Sequence, residues 1–164
     1  MRFLISAAGT GGHVFPALEF SAECIKNNHD VLWMGTKTGL ESRKVPEKNI
    51  QFMTVPMRGF RGKGLLNKFI SIFGLVASIG KTIIFLFQNN INFVVCFGGY
   101  ISLPIGIAAI LCRKQLILHE QNAVMGTSNK LLAPFAKIIF LGTPLATVSQ
   151  KNTQLVGNPI KRIN

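Results

Sequence analysis

Acidic residues are scarce in this chain. Six Asp and Glu stand against eighteen Lys and Arg in 164 residues, a formal net charge of +12. Such a field favours anionic partners: phosphates, anionic lipid or nucleic acid. Cysteine is sparse too. Cys24, Cys96 and Cys112 are odd in number and unclustered, so they offer neither a disulfide framework nor a zinc pattern, and a reducing cytosol is the compartment they suit. The three histidines, at 13, 29 and 119, are scattered, and no metal site is expected. One Trp and one Tyr leave few evident platforms for stacking bases, although phenylalanines are plentiful, and with no nucleic-acid motif present, nucleic acid is not an expected partner. The apolar start at residues 1–9 is broken by glycine too soon for a signal peptide. Charge is missing altogether from 82 to 112, 31 positions that nominally suffice to cross a bilayer. Four amides between Gln88 and Asn92, the pair Gly98-Gly99 and Pro104 interrupt that stretch, and desolvating them favours two or three buried elements over a span.

What is present is an alternation of short apolar runs with helix-length segments. Strands are predicted over 3–7, 31–34, 52–55, 93–97, 115–118, 138–141 and 155–156, and helices over 15–27, 40–44, 65–87, 101–111 and 128–136. Continuously apolar strands with helices between them indicate an α/β fold, a parallel sheet with helices on both faces. A basic glycine-rich loop is expected at 58–64, and the polar tail 157–164 resembles a linker.

Ligands of such sheets bind beyond the carboxyl ends of the strands, and three loops there are unusual. Gly9-Thr10-Gly11-Gly12-His13 leads from a strand into a helix, where glycines let amides approach an anion. A tight turn permitted by glycine is the plainer reading. The loop lacks the third glycine of a dinucleotide fingerprint (Val14 stands there), no acidic residue closes the second strand, and Lys63 is followed by Gly64, so neither NAD binding nor a Walker A loop is supported. Gly98-Gly99-Tyr100 repeats the strand–glycine–helix pattern, and two such helix starts facing one cleft would suit a diphosphate. The third loop, His119-Glu120-Gln121-Asn122, places four polar groups after an apolar strand. It reads either as a site or as a satisfied structural network with Glu120 capping a neighbouring amide. Ala123 stands where a second zinc-binding histidine would be needed. His13 is the best general-base candidate, because its ordinary pKa lies near neutrality and it sits at the mouth of the first glycine loop. Trp33 is expected in the core. Helix 65–87 is more apolar than one core-facing stripe requires, with Lys68 and Lys81 beside Phe69, Ile72, Phe73 and Val76. It is read either as buried on both sides or as adsorbing to an anionic bilayer.

Five motifs follow one another through nearly the whole chain: Gly9-Thr10-Gly11-Gly12-His13-Val14-Phe15-Pro16, Arg58-Gly59-Phe60-Arg61-Gly62-Lys63-Gly64, Gly98-Gly99-Tyr100, His119-Glu120-Gln121-Asn122 with Asn129-Lys130, and Val156-Gly157-Asn158-Pro159. In that order they resemble the N-terminal domain of the MurG family, the transferases of glycosyltransferase family 28 that move N-acetylglucosamine from UDP-N-acetylglucosamine to lipid I in peptidoglycan synthesis. The resemblance implies the N-terminal half of a GT-B enzyme, with one Rossmann-like sheet per domain and the active site between them. It also implies an inverting reaction that needs no metal or cofactor, at the cytoplasmic face of the cell membrane. Residues 1–157 would be the acceptor- and membrane-binding domain and 158–164 the start of a linker to a UDP-sugar domain outside this chain.

Carried over by motif, Thr10, Gly11, Gly12, Asn122 and Lys161 would contact the donor. Gly11, Gly12, His13, Gly98, Gly99 and Tyr100 would hold the acceptor diphosphate, His119, Glu120 and Asn129 would line the cleft, and His13 would be the catalytic base. Phe69, Ile72, Phe73, Val76 and Lys68 would form the membrane patch. Lys161 stands where the family usually has Arg, and lysine does not reproduce bidentate phosphate contact. The expected partners are UDP-N-acetylglucosamine, lipid I, an anionic membrane surface and the C-terminal domain. The alternative is a basic peripheral membrane module without chemistry.

Overall fold

The computed structural model describes residues 1–57, 65–146 and 152–160, and within the first turns of the long helix, 65–70, the backbone alone. The basic loop 58–64 and Lys161 lie outside the described residues, as do the side chains of Lys68 and Phe69. Seven strands form one all-parallel sheet: β1 (Arg2–Ser6), β2 (Asp30–Gly35), β3 (Gln51–Thr54), β4 (Phe93–Cys96), β5 (Gln115–Glu120), β6 (Ile138–Leu141) and β7 (Thr153–Leu155). Their order is β3-β2-β1-β4-β5-β6-β7. The chain winds outward in one direction from β1 to β3, then returns to β4 on the other side of β1. Between β1 and β4 the sheet therefore has its topological switch point, where the crossovers leave opposite faces and a crevice opens.

Successive strand residues point to opposite faces, and each face buries its own core. Phe3, Ile5, Trp33, Val95 and Phe97 meet Val14, Ala17 and Leu18 of α1 (Gly11–Lys26), with Val45 after the short α2 (Glu41–Lys44). Leu4, Met34, Val94, Cys96, Leu118 and Ile139 meet Phe85 and Leu86 of α3 (Leu65–Gln88), Ile101 and Ile105 at α4 (Ser102–Leu111), and Leu132 of α5 (Thr127–Leu132). Trp33 is fully buried, as expected, and its indole N–H donates to the Ala7 carbonyl at 3.3 Å.

Three expectations need correction. Helix α1 begins at Gly11, four residues before the predicted start, so His13 lies in its first turn and Pro16 inside it. A glycine-rich start hid the helix, since glycine weakens every local helix signal. Strand β5 runs on through His119 and Glu120, because ladder pairing with Phe140 and Leu141 outweighs their polarity. Helix α3 is buried on one side only: Ser78, Thr82, Phe85 and Leu86 face the core, while Ile72, Phe73, Val76, Ile84 and Phe87 are exposed. Its last 18 residues, Ser71–Gln88, are long and apolar enough to cross a membrane by length and composition. Here they form the crossover between β3 and β4. The stretch 82–112 resolves into the end of α3, β4 and α4.

Candidate active site

The two glycine loops follow β1 and β4, the strands on either side of the switch point. In the first, the Thr10 carbonyl accepts from His13 N (3.2 Å) and Val14 N (3.3 Å). Helix geometry leaves the Gly11 and Gly12 amides without intrahelical acceptors and points them out of the helix start. In the second, Gly98 and Gly99 adopt φ of +98° and +80°, which side chains on Cβ disfavour. Ser102 holds that turn from within α4: its hydroxyl donates to the Gly98 carbonyl (2.7 Å) and accepts from the Gly98 amide (3.1 Å).

The loops touch. A Cβ on Gly99 would come within 2.8 Å of the Ala8 carbonyl oxygen, and one on Gly98 within 2.9 Å of His13 Nε2, so only glycine lets the loops close on each other and the imidazole lie over the second turn. Burial pulls His13 below the ordinary imidazole pKa, partly offset by the charge of Glu120. Its Nδ1 is buried and has no hydrogen-bond partner among the described residues. A histidine held toward its neutral form by burial is a candidate general base.

The third loop is organised by Glu120, only 1% exposed. One carboxylate oxygen accepts from the backbone and side-chain nitrogens of Asn122 (3.1 and 3.0 Å), the other from Gly126 N and Asn129 Nδ2 (both 2.9 Å). Asn129 also donates to the His119 carbonyl at 3.2 Å. The His119 ring stacks on Phe97 with centroids 5.0 Å apart and an interplanar angle of 23°. Its Nε2 is 3.4 Å from the Gly157 carbonyl, and burial lowers its pKa. Burial raises the Cys96 thiol to about 12 and Cys24 to about 11, which leaves neither as a thiolate nucleophile.

Two hollows meet at Asn122. One, of about 500 Å³, is lined by His13, Gly98, Gly99, Tyr100, Glu120 and Asn129 together with Leu103, Thr127, Ser128 and Leu131. The other, of about 720 Å³, lies between α1 and the tail, lined by Gly12, Phe15, Gln121, Asn122 and Asn158 among others. The residues assigned to the acceptor thus gather in the first hollow, except Gly11, Gly12 and His119; Gly12 and Asn122, assigned to the donor, border the second. Thr10 and Gly11 line neither. Leu103 and Leu131, the apolar wall of the first hollow, went unnoticed in the sequence, where they read as ordinary helix residues. Among the described residues no group of three His, Cys, Asp or Glu side chains could hold a metal ion.

The solved structure of Acinetobacter baumannii MurG superposes on this chain with a TM-score of 0.85 at 32% identity, covering 98% of this chain and 46% of that one. The sheet therefore has the Rossmann-like architecture of one half of a GT-B glycosyltransferase. Residues 3–141 match the glycosyltransferase family 28 N-terminal domain, and the chain belongs to that family. Among curated relatives, the UDP-N-acetylglucosamine–N-acetylmuramyl-(pentapeptide) pyrophosphoryl-undecaprenol N-acetylglucosamine transferase of Idiomarina loihiensis is 40% identical over 162 residues, 98% of this chain and 45% of the relative. The enzyme of the same name from Acidithiobacillus ferrooxidans is 42% identical over 158 residues, 96% of this chain and 43% of the relative. The chain thus spans about half the length of the curated relatives it matches.

Proposed function

We propose that this chain is the acceptor-binding half of a transferase that moves N-acetylglucosamine from UDP-N-acetylglucosamine to lipid I, making lipid II for peptidoglycan. The observation that carries the proposal is the joint between the two glycine turns, which lays a largely neutral His13 over Gly98 at the mouth of a hollow suited to a diphosphate. In this reading residues 1–157 form the acceptor and membrane domain and 158–164 begin the linker to the UDP-sugar domain. The amides of Gly11, Gly12, Gly98 and Gly99, with Tyr100, hold the acceptor diphosphate. Helix starts and left-handed turns present N–H groups to such an anion. His13 takes the proton from the acceptor hydroxyl as that oxygen attacks the sugar's anomeric carbon, and UDP leaves from the opposite side, inverting the centre. Gly12 and Asn122 meet the sugar from the neighbouring hollow, with Thr10, Gly11 and Lys161 completing the donor site.

The outer side of α3 supplies the second half of the proposal. Phe73 is 76% exposed, Val76 62% and Ile72 56%, on a chain of net charge +12. These three side chains form a patch that adsorbs to the anionic cytoplasmic face of the membrane, where the acceptor is anchored.

The test is sugar transfer from UDP-N-acetylglucosamine to a lipid I analogue, by the chain alone and with the C-terminal half of a relative supplied. Transfer is expected only with both halves present. Turnover by the chain alone would overturn the half-site reading. No turnover from halves shown to associate would leave α3 and the charge as the function, a membrane module without chemistry.

A further inference from the structure

Each loop of the cleft is tied down by one buried side chain: the third by Glu120, the second by Ser102. The first is tied by Glu41, from a different element. Glu41 opens α2 and is fully buried. Its Oε1 accepts from Thr36 N (3.0 Å) and Thr36 Oγ1 (2.6 Å), and its Oε2 accepts from Gly9 N at 3.3 Å. Glycines make the room: a Cβ on Gly39 would overlap both carboxylate oxygens, and one on Gly35 would sit 2.6 Å from Glu41 Cγ. Among the described residues no cation pairs with it. A buried carboxylate surrounded by neutral donors is a costly way to fill a core, and only the hydrogen bonds it accepts offset that cost. Besides holding Thr36, the carboxylate holds Gly9. That residue has φ of +101° and follows Ala8, whose carbonyl abuts Gly99. The place of Gly9 therefore sets how the two glycine loops meet.

We propose that Glu41 is a positioning residue: by gripping the Gly9 amide it sets the Gly11 and Gly12 amides in register with Gly98 and Gly99 for a bound diphosphate. The proposal rests on the reading of the cleft as a diphosphate site. Pre-ordering the loop removes the ordering cost that binding would otherwise carry.

Glu41→Gln separates the two ends of this clamp. Two donors at Thr36 keep the amide oxygen on that side, so the amide NH₂ turns to the Gly9 N–H and the grip is lost. In the isolated chain, NMR should show the Gly9 amide exchanging about tenfold faster, the scale of a lost charge-assisted hydrogen bond, with the Leu4 and Val94 amides unchanged. Affinity for inorganic pyrophosphate, followed on the Gly11 and Gly12 amides, should fall about tenfold, the same free energy entering the binding equilibrium. Glu41→Asp keeps the charge but shortens the reach, and it should give the same two results if the glutamine variant does not fold. Thr36→Val removes one donor at the far end and should lower the melting temperature while keeping pyrophosphate affinity. Unchanged Gly9 exchange in the Glu41 variants would overturn the proposal, as would faster exchange with unchanged affinity, or an equal affinity loss in Thr36→Val. A wild-type chain that does not bind pyrophosphate would overturn the diphosphate reading itself, while Gly9 exchange still reports whether Glu41 holds the loop.

Discussion

The carboxyl edge of the sheet and the outer side of α3 both depart from what a folding core needs, in opposite ways. At the edge, polar groups are withdrawn from water: Glu41, Ser102, His119, Glu120 and Asn129 are all nearly inaccessible. On α3, apolar groups are left in water: Phe73, Val76, Ile84 and Phe87 are more than half exposed. A buried polar network is specific, because each donor needs its acceptor at one distance and angle, and a single missing partner costs a full desolvation. An exposed apolar stripe is tolerant, because burial against lipid depends on area and hardly on geometry. One region is thus suited to recognising a defined molecule and the other a surface, and substitutions should affect the two independently.

The largest effect expected is from His13→Ala, assayed with the C-terminal half present. Transfer should fall about a thousandfold, the usual scale for losing a general base, while binding to anionic vesicles is unchanged. On the proposed mechanism the neutral imidazole is the active form of the unsubstituted protein. Because burial lowers its pKa, the rate should fall as pH drops through a midpoint below 6.5 and stay level above it. A midpoint above 6.5 would contradict the burial. The converse substitution is Phe73→Asp with Val76→Asp. It should weaken sedimentation with anionic vesicles about a hundredfold, because two large apolar side chains no longer enter the bilayer surface. Transfer to a short-chain, soluble acceptor should be untouched, and a parallel loss there would show the regions to be coupled. Smallest is Gly99→Ala, which strains a left-handed turn against the Ala8 carbonyl. A cost of about 2 kcal/mol, or roughly 5 °C in melting temperature, is expected from scanning calorimetry, with vesicle binding retained.

How far each region could be read in advance follows from the same difference. Strands such as 93–97 were legible because a parallel strand covered on both faces is apolar along most of its length. The glycine pairs were legible because positive φ leaves few other choices. The start of α1 was not, since Gly11 and Gly12 carry no helix preference and are held helical by the packing of Val14, Ala17 and Leu18. The end of β5 was not, since His119 and Glu120 join the strand through pairing with β6. Glu41 gave no sign at all: on a short polar helix it reads as solvated, and only the folding of α2 against Gly9, Gly35 and Gly39 takes it out of water.

By itself the order of residues determined the class of sheet, the three loops at its carboxyl edge, the identity of the candidate base and the excess of apolar and basic groups around α3. These depend on composition and spacing within some twenty residues, where backbone preference and hydrophobic periodicity act locally. The tertiary structure alone decided that Ala8 meets Gly99, that His13 lies over Gly98, that Gly12 and His13 open to different hollows, and that Glu41 reaches Gly9 across 32 positions of chain. Those contacts join segments far apart in sequence. Their free energy comes from a desolvation that exists only once the sheet has assembled around its switch point.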